Sequence, residues 1–245
     1  MMLPDQKTKI IATIGPASET PQLMEAMIRA GMNVARLNFA HGDPESHGRV
    51  IAGLRAAARS TGKRVAIMAD LPGPKMRIGR LAEEPIELQP GASFTLTTRE
   101  IVGDTRGVSV SFMGLPRAVQ PGDTLFLNDG FIQLEVLTSE TTDVLCRVVV
   151  GGELRSHKGL NLPGIDLGIG AFTEQDLRWL QFAAEQGIDA LSQSFVESAA
   201  DITAVREAAV ALNYRPFIIA KIERARALPR MDDIIAAADG IMVAR

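Results

Sequence analysis

The sequence has very little cysteine: Cys146 is the single one among 245 residues. One thiol cannot form an intramolecular disulfide, so stability has to come from the packed core, as in proteins of a reducing compartment. The sequence also lacks an excess of basic charge, because 26 Lys and Arg against 29 Asp and Glu give a formal net charge of −3. This balance argues against a general nucleic-acid binder, but it leaves room for a local basic pocket that takes a small phosphorylated ligand.

Long hydrophobic segments are absent as well. Residues 1–6 include Pro4 and Asp5 and have no apolar run, so they are unlike a signal peptide. No uncharged apolar run approaches the roughly 20 residues that span a bilayer. We therefore expect a cytoplasmic protein with no membrane partner. With 46% hydrophobic residues, 245 residues are enough for one large domain, or for one domain that carries an inserted second.

The residues before position 75 alternate between two patterns. Short β-branched runs predict strands at Thr8–Gly15, Asn33–Ala40 and Arg64–Leu71, and stretches rich in Ala, Leu and Met predict helices at Pro21–Ala30 and Glu45–Thr61. Strands that alternate with helices in this way predict a parallel sheet with helical crossovers.

Helix-end signals support these helices. Thr20 and Pro21 are typical of an N-cap and a first helical position, while Gly31 and Gly62 are typical of helix C-terminal ends. Further along the chain, Thr173 has the character of another N-cap.

The pattern changes between about Ile78 and Leu160, where no helical period persists. Alternating apolar runs lie there between Pro-Gly and Asp-Gly turns: Ser93–Thr98, Val108–Phe112, Thr124–Leu127, Ile132–Leu137 and Val144–Val150. This segment predicts an antiparallel β module, a small barrel, inserted in the α/β domain.

The α/β pattern resumes at Thr173. The expected elements are a helix to about Gln186, a strand at Ile188–Phe195, a helix at Ala199–Leu212, a strand at Pro216–Glu223, a helical stretch to Ala238 and a strand at Gly240–Arg245. Counted across the insertion, the chain has six of the eight strands of a (β/α)8 barrel. We therefore predict an α/β fold, an incomplete TIM-type barrel formed by residues 1–74 and 161–245, with an all-β domain inserted at 75–160.

Polar residues close most of the predicted barrel strands, at the edge where barrel enzymes bind ligands. They are Arg36, Asn38, Asp70, Ser194, Lys221, Glu223 and Arg245. Cations and carboxylates that converge on one edge suit the binding of a phosphate together with a divalent metal. The same residues could equally form structural ion pairs, and their spacing alone does not separate these two interpretations.

Several segments, in the same order, resemble the pyruvate kinase family. They are TKIIATIGP (8–16), GMNVARLNFAHG (31–42), DLPGPKMRIG (70–79), KGLNLPG (158–164), IIAKIE (218–223) and DGIMVAR (239–245). The resemblance covers nearly the whole chain. It implies that the β insertion is a mobile lid domain, and that the activity is Mg²⁺- or Mn²⁺-dependent phosphoryl transfer between phosphoenolpyruvate and ADP in glycolysis.

The resemblance also implies roles for individual residues. Lys221 is expected to neutralise the phosphoryl group in transfer, and Glu223 to be a ligand of the catalytic Mg²⁺. Arg36, Ser194 and Phe195 are expected to lie at the substrate phosphate. Arg77 and Lys158, with a weaker contribution from His41, are expected to contact the phosphates of ADP or ATP.

Departures from the family pattern concern a monovalent-cation pocket that would include Asn38 and Asp70. Ala40 stands where many members have a serine, and Leu71 stands where they have a threonine, so two oxygen ligands of K⁺ are missing. Lys75 stands where K⁺-dependent members carry a glutamate. Since a fixed ammonium could replace the ion, we expect that K⁺ is not required.

Two further interpretations remain open at this stage. The chain could be a catalytically inactive fragment that at most binds phosphoenolpyruvate or a nucleotide, or it could be a lyase that acts on phosphoenolpyruvate or pyruvate. The resemblance implies that a second Mg²⁺ ligand, an aspartate, follows Arg245, and that the complete protein is a homo-oligomer, as the tetrameric family members are.

Overall fold

A computed structural model describes residues 7–74, 76–165 and 168–243 of the chain. The strands in this part are β1 (Ile10–Thr13), β2 (Met32–Asn38), β3 (Ala66–Leu71), β4 (Ile86–Leu88), β5 (Ser93–Thr97), β6 (Gly107–Ser109), β7 (Thr124–Leu127), β8 (Ile132–Ser139), β9 (Asp143–Val150), β10 (Gly152–Leu154), β11 (Leu160–Asn161), β12 (Ala190–Gln193), β13 (Phe217–Ile222) and β14 (Gly240–Val243). The α-helices are α1 (Pro21–Ala30), α2 (Pro44–Thr61), α3 (Leu115–Ala118), α4 (Glu174–Glu185), α5 (Ala199–Ala211) and α6 (Met231–Ala237). Short 3₁₀ helices cover Asn128–Gly130 and Ala225–Arg230.

The chain folds as two compact units. One unit, called here the α/β unit, comprises Met1–Pro74 and Gly170–Arg245, and the other, the β unit, comprises Lys75–Ile169. Each has a hydrophobic core of its own.

The α/β unit is built on a parallel sheet with the strand order β1-β2-β3-β12-β13-β14. Each strand pairs in parallel with the next along this order, and the connections between neighbours run through helices or through the β unit. Apolar residues of the strands and of the helices form its core. They include Leu37, Ile67 and Leu191 from strands, and Ile28, Leu54, Leu180 and Val205 from helices. The prediction of an α/β chain that contributes six parallel strands of a barrel is confirmed.

The helix-end signals are confirmed. The Thr20 hydroxyl accepts the Leu23 N–H at 3.4 Å at the start of α1, and the Thr173 hydroxyl accepts the Asp176 N–H at 3.2 Å at the start of α4. Gly31 and Gly62 follow α1 and α2 with φ values of 116° and 66°, the left-handed conformation in which glycine has no steric cost.

Two boundaries in the second half of the α/β unit differ from expectation. β12 ends at Gln193 and not at Phe195, because Phe195 has a left-handed φ of 61° that cannot continue a strand. The helical stretch after β13 begins as a 3₁₀ helix at Ala225–Arg230 and becomes α-helical only at Met231, because Pro229 has no N–H to donate to an α-helical bond.

The β unit contains a sheet with the strand order β11-β7-β8-β9-β5-β6 and a second sheet formed by β10 and β4. Four of the five strand pairings in the larger sheet are antiparallel, as predicted, whereas β5 and β6 are parallel. The sequence also did not predict the strands β4, β10 and β11. They have only two or three residues, which is too short for an alternation of apolar and polar residues to be recognised.

Residues 76–79 bridge the two edges of the larger sheet of the β unit. The Leu160 N–H donates to the Met76 carbonyl at 3.0 Å on one side, and the Ser111 N–H donates to the Arg77 carbonyl at 2.9 Å on the other. These bonds close the sheet into a small barrel.

The expected boundary of the insertion at residue 160 is wrong, because the β unit extends to Ile169. Leu160 pairs with β7 and is buried in the core of the β unit, and Leu162 is buried there too. Burial of these leucines keeps the segment after residue 160 with the β unit.

The edge strands of the parallel sheet are exposed. Ile10 and Ile11 of β1 are 51% and 48% exposed, and Val243 of β14 is 87% exposed. Among the described residues, no helix is both long and apolar enough to cross a membrane.

Candidate active site

Charged and hydroxyl side chains meet at the carboxyl edge of the parallel sheet. The register aligns Asp70 of β3 with Asn38 of β2 on one side and with Ser192 of β12 on the other. Arg36 lies two residues before Asn38, on the same face of β2. Because parallel strands carry their carboxyl ends to one edge, residues distant in sequence come together here.

Lys221 lies at the centre of this cluster. It is only 7% exposed, and its Nζ contacts the Ser194 Oγ at 2.8 Å, the Glu223 Oε1 at 3.0 Å and the Asp70 Oδ1 at 3.2 Å. A buried ammonium is costly unless it is paired and hydrogen-bonded, and these three partners satisfy its three N–H groups. Lys221 is therefore held in one position before any ligand arrives.

Asp70 is the buried anion that faces Lys221. It is 3% exposed, it is ion-paired with Arg36, and it accepts a hydrogen bond from the Ser192 hydroxyl at 2.8 Å. Two cations thus face this carboxylate, and Glu223 is a second anion beside Lys221.

Arg36 has an unused donor. Its Nη1 donates to the Thr13 hydroxyl at 2.8 Å and its Nη2 pairs with Asp70, but its Nε is buried and has no hydrogen-bond partner within the described parts of the chain. A buried N–H without a partner is costly, so an acceptor oxygen supplied by an anionic ligand would remove that cost.

Glu223 lies next to Lys221 and is fixed by Phe195. Its Oε2 accepts the Phe195 N–H at 2.9 Å, and its side chain is 19% exposed. Each oxygen of an ionised carboxylate has a lone pair to spare beyond the contact it already makes. Glu223 can therefore take one coordination position on a hard cation.

The described residues contain no group of three or more His, Cys, Asp or Glu side chains that could enclose a metal ion. Mg²⁺ does not need such a cage, because it is commonly bound by one or two carboxylates together with waters and substrate phosphates. A single available carboxylate beside two cations fits that mode.

Asn38 and His41, also singled out in the sequence, make local contacts in the loop after β2. The Asn38 Oδ1 accepts the Ala40 N–H at 3.1 Å, and the His41 carbonyl accepts a hydrogen bond from the His47 Nε2 at 2.7 Å. The side chain of Asn38 and the backbone of His41 thus shape the loop after β2. Lys75 and Arg245 lie outside the described residues.

Arg77 and Lys158 lie side by side in the β unit. Arg77 forms a bridge with Gly159, the residue after Lys158, and its Nη1 donates to the His157 carbonyl at 2.8 Å. The Lys158 carbonyl accepts the Ile78 N–H at 2.9 Å. Two cations therefore stand on adjacent chain segments of the same unit.

Ser192 and Asp176 belong to this region and were not identified from the sequence. Ser192 could have been found, since it precedes Ser194 by two residues and so shares its face of the chain in an extended strand. Asp176 follows Thr173 by three residues, a spacing that signals a helix cap and gives no sign of a tertiary contact.

Comparisons with known proteins agree with the resemblance. A family model described as the barrel domain of pyruvate kinase matches residues 5–245. The chain is 47% identical over 245 residues to a pyruvate kinase of Thermococcus litoralis, which covers 100% of this chain and 52% of that protein. It is 42% identical to a pyruvate kinase of Geobacillus stearothermophilus, with 98% of this chain and 41% of that protein covered.

A pyruvate kinase of Corynebacterium glutamicum is 38% identical over 241 residues, which cover 98% of this chain and 51% of that protein. The chain therefore spans about half the length of the curated relatives that it matches.

Proposed function

The chain belongs to the pyruvate kinase family, and we propose that it forms the catalytic barrel region of an enzyme that transfers a phosphoryl group between phosphoenolpyruvate and ADP. The observation that carries this proposal is the position of Lys221, buried between Asp70, Ser194 and Glu223 with Arg36 close by. The family membership and the pairing of a fixed ammonium with a carboxylate at the same strand end support it together.

Lys221 acts on the phosphoryl group in transfer. Negative charge spreads over the equatorial oxygens of that group in the transition state, and an ammonium that is already in place stabilises it without reorganisation. The Ser194 hydroxyl and the Glu223 carboxylate hold the ammonium, so it does not have to be ordered when substrate binds. Arg36 supplies its unpartnered Nε to an oxygen of the substrate phosphate.

Glu223 holds the divalent metal, Mg²⁺ or Mn²⁺. When bound, the metal neutralises charge on the phosphate oxygens and orients them. The Phe195 N–H on the Glu223 Oε2 fixes the carboxylate. The protein contributes few ligands of its own, as is usual for Mg²⁺ at phosphoryl-transfer sites.

Arg77 and Lys158 bind the phosphates of ADP or ATP, and His41 makes a minor contact with the nucleotide. Two cations on adjacent segments of the β unit suit a diphosphate. Asn38, Asp70 and Lys75 take the place of a monovalent-cation pocket, since Asp70 is already neutralised by Arg36 and Lys221. The activity therefore does not depend on K⁺.

We place the protein in the cytoplasm, as a homo-oligomer when complete. Neither the alternative of a lyase nor that of an inactive fragment is favoured by any observation. The proposal is tested by the steady-state rate of pyruvate formation in the natural protein, with phosphoenolpyruvate, ADP and Mg²⁺ omitted one at a time. The rate should require all three, and pyruvate release without ADP would point to a different reaction.

A further inference from the structure

A buried carboxylate connects the start of α4 with the loop that follows β3. Asp176 is fully buried, and its Oδ1 accepts the N–H of Gly73 at 3.0 Å. Its Oδ2 accepts the N–H of Thr173 at 2.8 Å and the Thr173 hydroxyl at 2.7 Å. The second set of bonds caps the helix, whereas the bond to Gly73 spans more than a hundred positions in sequence and has no part in capping.

Gly73 in turn lies tightly against the residues that hold Lys221 and Glu223. It has a left-handed φ of 63°, and a Cβ at this position would lie 2.9 Å from the Phe195 Cδ2 and 3.2 Å from the Ser194 carbonyl oxygen. Only glycine allows this approach. The Ser194–Phe195 backbone therefore packs directly against Gly73.

That backbone is itself in an unfavourable conformation. Phe195 has a φ of 61°, which costs of order 1–3 kcal/mol in a residue other than glycine unless its surroundings impose it. Its N–H nevertheless points at the Glu223 Oε2, and the neighbouring Ser194 Oγ receives Lys221. Packing has to hold the turn in this conformation, and Gly73 is one of the groups packed against it, together with Gln193, whose Nε2 donates to the Ser194 carbonyl at 3.1 Å.

A carboxylate is well suited to hold Gly73. Burial raises the pKa of Asp176, while the hydrogen bonds from Thr173 and Gly73 oppose that rise. The donors are divided between the two oxygens: Gly73 donates to Oδ1, whereas the N–H and the hydroxyl of Thr173 donate to Oδ2, so Oδ2 still keeps a donor when the hydroxyl is lost.

We propose that Asp176 is a positioning residue of the active site: through Gly73 it holds the Ser194–Phe195 turn in the conformation that fixes Lys221 and Glu223. The proposal rests on the function proposed above as far as catalysis is concerned, whereas its structural part, the fixing of the turn, does not.

Helix capping alone is the competing explanation, and Thr173→Ala is the matched control. This variant removes the capping hydroxyl but leaves the bond between Asp176 and Gly73. Asp176→Ala removes both the contacts of the carboxylate with Thr173, which cap α4, and its bond to Gly73. Asp176→Asn retains one carbonyl oxygen for Gly73 and is expected to lie between the two.

The kinetic test compares these variants in the natural protein. Loss of a residue that orients a metal ligand typically lowers metal affinity or activity by about 10–100-fold. Asp176→Ala should therefore raise the half-saturating Mg²⁺ concentration and lower kcat by factors in that range, with partial recovery in Asp176→Asn. Thr173→Ala should lower the melting temperature but change kcat by less than about threefold. Equal kinetic effects of Thr173→Ala and Asp176→Ala would overturn the proposal in favour of capping.

A second readout does not need activity. In wild type and Thr173→Ala, the amide protons of Gly73 and Phe195 should exchange slowly with solvent deuterium. In Asp176→Ala both amide protons should exchange at least tenfold faster, whereas the exchange rates of amides in β2 should stay unchanged. Unchanged protection of Phe195 in Asp176→Ala would overturn the positioning role. If exchange behaves as expected but wild type forms no pyruvate, the proposed function fails and the positioning role stands.

Discussion

Replacement of Lys221 by methionine removes the charge at the centre of the site and changes the volume little. Methionine is unbranched and flexible, so it fits a channel shaped for the lysine side chain. The ammonium contacts that disappear are those to Ser194, Glu223 and Asp70. The variant therefore separates the effect of the charge from the effect of a cavity.

The two expected consequences differ in size. Asp70 keeps Arg36 and the Ser192 hydroxyl, so the folded state should lose about 1–3 kcal/mol, as when one partner of a buried acceptor is removed. This loss is smaller than the roughly 5–15 kcal/mol of a typical native state, so the protein stays folded. The rate should fall by at least 10²–10³, the usual effect of removing a preorganised group from the developing charge.

The assay is pyruvate formation at saturating phosphoenolpyruvate, ADP and Mg²⁺, coupled to lactate dehydrogenase, with a thermal melt of each protein. Lys63→Met is the matched control, because its Nζ lies 3.2 Å from the Arg29 carbonyl at the end of α1 and is remote from the site. The control should keep the wild-type rate. A Lys221→Met protein that folds and works within about tenfold of wild type would refute the role assigned to Lys221.

Three more predictions follow from the structure and the sequence. Activity should not need K⁺, because the sequence has Lys75 where K⁺-dependent family members carry a glutamate. The rate in a buffer whose only monovalent cation is bulky and organic should therefore match that in K⁺ buffer, and stimulation by K⁺ of more than tenfold would contradict this. Burial raises the pKa of the Cys146 thiol to about 12, so at pH 8 only roughly 10⁻⁴ of the thiol is present as the reactive thiolate. Iodoacetamide should therefore label the native protein far more slowly than the urea-unfolded protein. Equal labelling rates would show that the thiol is accessible. A protein of residues 1–245 alone should aggregate or self-associate through the exposed strands β1 and β14. Residues 75–169 alone should melt cooperatively, because they form a compact unit. A monodisperse monomer of residues 1–245 in light scattering would contradict the expected association.

Local sequence signals predicted most elements of the α/β unit. Thr20, Gly31 and Thr173 mark helix ends through interactions with their own neighbours, so they could be recognised without a structure. The same holds for the polar strand ends, since parallel strands with helical crossovers must bring residues such as Asp70 and Lys221 to one edge.

The remaining features depend on tertiary contacts that no local pattern encodes. β6 runs parallel to β5, although consecutive short strands usually form hairpins. The left-handed Phe195 and the reach of Asp176 to Gly73 both arise from packing between segments far apart in the chain. A single sequence shows these residues only as an ordinary aromatic and an ordinary helix cap.

The most direct test of the central claim is to follow the phosphoryl group itself by ³¹P NMR. The natural protein is mixed with phosphoenolpyruvate, ADP and Mg²⁺, and the phosphorus signals are recorded over time. The account predicts that the phosphoenolpyruvate signal is replaced, one for one, by the γ-phosphate signal of ATP, and that Lys221→Met slows this exchange by at least about 10²-fold. A phosphoenolpyruvate signal that persists, or one that gives only inorganic phosphate, would contradict it.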